Sequence, residues 1–118
     1  MKKHYLLLTF LALASVGKTQ TLNGQSLSEL KARYIEIVGT SKILKPLEVT
    51  IYVDYGQVSK ISEIENGYVL DQNGENMTFN GMLAAVNLFA EYGYVLDMAY
   101  PLTTSSGNVY HYIMRKEQ

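Results

Sequence analysis

Apolar and polar residues alternate from Val49 to Asp54, so Val49, Ile51 and Val53 share one face of a strand and Thr50, Tyr52 and Asp54 the other. The stretch over 33–38 is equally rich in residues that suit a pleated surface. With the strand over 49–55 it is expected to form a hairpin around the turn residues at 39–46. Segments 68–70 and 77–79 flank Asn73-Gly74, a pair that tolerates positive φ, which predicts a second, smaller hairpin. The period then changes to three and four. Met82, Leu83, Val86, Phe89 and Ala90 fall on one stripe of a helix predicted over 81–92, with Asn80 as N-cap and Gly93 as the left-handed residue that ends it. Segments 94–102 and 109–115 form a closing hairpin, and Pro101, which cannot donate to a ladder, puts its strand at an edge or loop mouth. Strands, one helix, then strands predict an α+β fold: an antiparallel sheet of hairpins with one amphipathic helix packed on one face.

The N-terminus follows a different pattern. Met1-Lys2-Lys3-His4 precedes an apolar run from Tyr5 to Val16 that is shorter than the ~20 residues of a membrane span. Residues 1–17 therefore read as a secretory signal peptide, cut near Ala14 or Gly17, and the mature protein is expected in the periplasm or outside the cell without membrane insertion. Small polar residues make 18–31 a flexible segment, within which Ser26-Leu27-Ser28-Glu29 has the spacing to start one helical turn. A single domain is left over 32–116.

Cleavage after Gly17 removes Lys2 and Lys3, leaving eight basic against eleven acidic residues, a net charge of −3. Nucleic acid and anionic membranes select clustered Lys and Arg, so neither is an expected partner. With no cysteine in the chain, stability rests on packing, and thiolate chemistry, zinc held by cysteine and lipid attachment after the leader are excluded.

The candidate chemistry is sparse. His111 is the one histidine of the mature chain, and a metal site needs three or four ligands, so no metal or other cofactor is expected. A small hydrolase using His111 with a carboxylate such as Asp54 or Asp97, near Ser105 and Ser106, is the alternative reading. Close acidic pairs such as Glu63 and Glu65 are explained by a solvated surface. Asp71-Gln72-Asn73-Gly74-Glu75 has its glycine at the wrong position for a calcium loop and suits a turn better. The mature chain carries nine tyrosines. Tyr52, Tyr55, Tyr100, Tyr110 and Tyr112, with His111 among them, would form an aromatic platform able to stack on sugar rings or anchor a protein. The leading expectation is a non-enzymatic binding module for a protein or glycan, acting through this sheet face or an edge strand. The edge strand also allows a homodimer.

Tyr34-Ile35-Glu36-Ile37-Val38-Gly39-Thr40, Asp54-Tyr55-Gly56-Gln57, Phe79-Asn80-Gly81-Met82, Ala85-Val86-Asn87, Gly93-Tyr94, Ala99-Tyr100 and Tyr110-His111-Tyr112 together resemble the small exported domain-of-unknown-function proteins of Bacteroidota. The resemblance spans about 32–116 and implies an exported α+β domain from a Gram-negative source. It implies no reaction and assigns no site residues. Gly81 stands where that family commonly has Ser, and Tyr94 where it commonly has Trp.

Overall fold

The computed structural model describes residues 20–42, 44–57 and 67–117. The expected signal peptide and the Glu63/Glu65 pair lie outside the described residues. In chain order the elements are β1 (Thr21–Leu22), β2 (Gln25–Ser26), a 3-10 helix (Leu27–Glu29), β3 (Tyr34–Lys42), β4 (Lys45–Asp54), β5 (Val69–Leu70), β6 (Thr78–Phe79), α1 (Met82–Ala90), β7 (Tyr94–Thr104) and β8 (Gly107–Lys116). The main sheet is antiparallel with order β6-β4-β3-β8-β7, and a small second sheet has order β2-β1-β5. One helix packs on one face of the main sheet, the α+β arrangement expected from the pattern of periods.

The alternation in β4 sets that face. Val49, Ile51 and Val53 are buried and lie opposite Ser41, Gly39 and Ile37 of β3. Across β3, Ile37 pairs with Tyr112 and Ile35 with Met114, extending the same apolar layer onto β8. Phe89 of α1 sits on this layer and meets Tyr94 edge to face, with centroids 6.1 Å apart. Gly39 leaves room for Met82: a Cβ there would collide with the Met82 thioether and crowd Ile51 Cδ1 at 3.3 Å.

Three local expectations are corrected. Residues 20–31 are ordered rather than flexible. β1 pairs with β5, and Leu22, Leu27 and Leu30 belong to the core. The single turn begins at Leu27, but Ser26 makes no capping bond and its hydroxyl lies 2.8 Å from that of Ser28 instead. The Asn73-Gly74 hairpin forms as expected: Asp71 Oδ1 accepts from the backbone of Asn73 and Glu75, Met77 N–H donates to the Val69 carbonyl at 2.8 Å and Leu70 bridges Asn76, while the arms continue into different sheets. β5 pairs with β1 and β6 with β4, and Val69 and Phe79 are both buried in the one core. The helix starts at Met82 behind Gly81, whose φ of 97° serves as the N-cap in place of Asn80. Gly93, with φ 88°, follows the expected C-terminal end.

Candidate functional site

The pleat divides the six sequence-predicted site residues between two faces. Tyr110 pairs with Gly39 and Tyr112 with Ile37, so both rings lie on the helix side of the sheet. Tyr100, His111 and Tyr52 lie on the other side, in the row Tyr100-His111-Val38-Tyr52 across four strands. Tyr55, just past β4, packs against the core and accepts a hydrogen bond from Asn23 Nδ2 at 2.9 Å. A single aromatic platform is therefore not formed; neighbours along β8 alternate faces.

On the open side, His111 stacks on Tyr100 with centroids 4.9 Å apart and rings within 1° of parallel. Glu36 Oε1 lies 2.7 Å from His111 Nδ1 and accepts from the Tyr100 hydroxyl at 3.1 Å. The carboxylate that serves His111 is thus Glu36, not Asp54 or Asp97. Asp54 Oδ1 instead accepts from the Gly56 backbone at 2.9 Å. Asp97 occupies the bulge in β7 where pairing jumps from Leu96 to Met98. Ser106, at the hairpin tip, is five residues along the chain from His111, roughly 16 Å at extended-strand spacing. Glu36 carried no sequence signal of its own, since its partnership depends on β3 lying beside β8.

The bond to Glu36, followed by partial burial and the nearby negative charge, raises the Tyr100 phenol above its ordinary value; burial raises that of Tyr94. A phenol with a raised folded pKa contributes stability that is fully present below about pH 10, the unfolded value, and is lost as pH climbs through the folded one. The urea midpoint is therefore expected to fall with rising alkalinity. A Tyr94→Phe, Tyr100→Phe double variant should show a shallower fall; an unchanged slope would refute this.

The helix side offers a different kind of site. α1 has nine residues, about 14 Å, whereas β7 has eleven, roughly 35 Å, so the helix leaves the hairpin-tip end of its face uncovered. There a cavity of about 610 Å³ is lined by Ser41, Pro46, Leu47, Val49, Asn80, Gly81, Met82, Leu83, Tyr110 and Tyr112. Its mouth depends on an irregularity in the first hairpin. Ser41 pairs with Val49 and Lys42 with Lys45, so the three β4 residues Pro46 to Glu48 stand against none on β3. Pro46 lacks an N–H and fits such a break in the ladder. Leu47 at 83% exposure and Leu83 at 67% form an apolar rim. A second cavity of about 420 Å³, lined largely by Thr, Ser and Asn of the hairpin tips, shares Ser41 and Pro46 with the first.

No family model, curated protein or solved structure matches the chain.

Chemically, the larger cavity supplies two tyrosine rings, an apolar rim and a few hydrogen-bonding side chains, within the ~300–1,000 Å³ typical of small-ligand sites. No group of three or more His, Asp or Glu able to hold a metal ion occurs among the described residues. Sequence reading found Tyr110 and Tyr112. It missed Ser41, Leu47, Asn80 and Leu83, whose only common property is where the strands and helix bring them.

Along β7, the bulge at Asp97 and the missing N–H of Pro101 interrupt the edge that an added strand would use. These features disfavour strand addition there.

Proposed function

We propose that this chain is an exported, non-enzymatic binding module that engages a glycan or a protein through the cavity between the start of α1 and Tyr110 and Tyr112. The observation that carries this reading is the large uncovered end of the helix-side face, where aromatic and aliphatic side chains line a concave surface. Exposed apolar surface of this kind is unfavourable unless something covers it, and tyrosine is well suited to a partner that is part apolar, part hydrogen-bonding. Export rests on the leader pattern at 1–17, and the absence of cysteine fits a cavity held open by packing rather than disulfides.

The test is capture of a saturable ligand from periplasmic and culture-supernatant fractions by the chain beginning at Lys18. A Tyr110→Ala, Tyr112→Ala variant is expected to lose binding by about tenfold or more, a loss typical of central aromatic contacts. His111→Ala and Tyr100→Ala, on the other face, are expected to bind as the parent does. Retention by the cavity variant together with loss in the His111→Ala protein would overturn this reading and favour the Glu36–His111–Tyr100 cluster.

A further inference from the structure

We infer that the ligand of this cavity is a neutral, polyhydroxylated chain: an uncharged oligosaccharide lying from the helix start toward the hairpin tips. This rests on the cavity being the binding site, as proposed above. Four polar side chains of the lining, those of Ser41, Asn80, Tyr110 and Tyr112, make no hydrogen bond to any described residue. Gly81 also leaves the first turn of α1 without a side-chain cap. A hydrocarbon ligand would bury these groups unpaired, at a cost that a ligand carrying hydroxyls avoids. A charged ligand fares no better, because no charged residue is among the described residues that line either cavity, and an ion taken from water without a counter-charge is strongly disfavoured.

Lys45, which precedes Pro46 of the lining, lies 3.4 Å from Glu48 and so already has a carboxylate. A sugar ring meets the remaining requirements together. Its C–H face stacks on tyrosine, and its equatorial hydroxyls both donate and accept. The second cavity adjoins the first and is lined mainly by hydroxyl and amide side chains. Sharing Ser41 and Pro46, it continues through Thr40, Thr104 and Asn108, so the surface accommodates more than one ring.

The experiment presents the full mature chain to a printed array of neutral, anionic and cationic oligosaccharides, and separately to the apolar dye Nile red. Retention of neutral members is expected, with charged ones not retained and affinity lowered about tenfold by Asn80→Ala or Tyr112→Ala. Asn80 is exposed, so its variant keeps the fold and guards against a merely misfolded Tyr112→Ala protein. Preferential binding of charged members, no binding of any neutral one, or neutral binding untouched by both substitutions would each overturn the inference. Nile red binding abolished by Leu47→Asp, with no glycan bound, would refute the ligand class while leaving the cavity reading standing. Absence of both, together with no ligand captured from the periplasmic and supernatant fractions, would refute the two together.

Discussion

A chain beginning at Ala32 is expected to remain unfolded, although it retains every strand of the main sheet and the whole helix. The segment it lacks contributes Leu22 at 0% exposure and Leu27 and Leu30 at 1% each. Removing a buried leucine side chain costs about 2–5 kcal/mol. Three such losses are comparable to the whole of the ~5–15 kcal/mol that holds a small domain together. The truncation also strips β1 from β5, where Leu22 faces Val69. It further removes the Leu30 carbonyl that accepts from Lys116 Nζ at 2.6 Å. Circular dichroism with urea titration decides the matter. A cooperative transition in the truncated chain comparable to that of the chain from Lys18 would show the segment to be dispensable, as its small polar composition suggested.

Phe89→Ala is expected to cost about 3–5 kcal/mol, while Leu83→Ala changes stability by less than about 0.5 kcal/mol. Phe89 is fully buried and braces Tyr94, whose hydroxyl donates to the Ala32 carbonyl and whose ring lies 5.4 Å from Lys116 Nζ. Leu83 rims the cavity in solvent. Urea midpoints of the two variants measure this contrast directly, and equal losses would contradict the packing. The predicted stripe had placed Leu83 and Ala90 beside Phe89; the buried set is Met82, Ala85, Leu88 and Phe89. Both sets have helical period. Met82 to Ala90 contains one polar residue, Asn87, so the helix is apolar nearly all round and its own pattern does not select a rotation. The sheet selects it, by offering a bed for Phe89 and a gap over Gly39 for Met82.

A similar division runs through the candidate site. Residues adjacent in a strand point to opposite faces, so the separation of His111 from Tyr110 and Tyr112 follows from the two-residue period alone. Grouping all six aromatic residues into one platform overlooked it. Which face the helix would cover, and therefore which tyrosines line a cavity, depends on β3 pairing with β4 on one side and β8 on the other.

By itself the sequence determined the elements whose signals are local: the alternation in β4, the Asn73-Gly74 turn, a helix ended by Gly93, the closing hairpin and the α+β class that these compose. Only the tertiary structure decided the partners of β5 and β6, the burial of the N-terminal leucines, the Glu36–His111 contact and the cavity. The reason is physical. Turn chemistry and side-chain period act within a few residues of chain. The partner of an apolar face, and the space left where a short helix fails to cover long strands, are settled by residues far apart in the chain, such as Glu36 and His111, 75 positions apart.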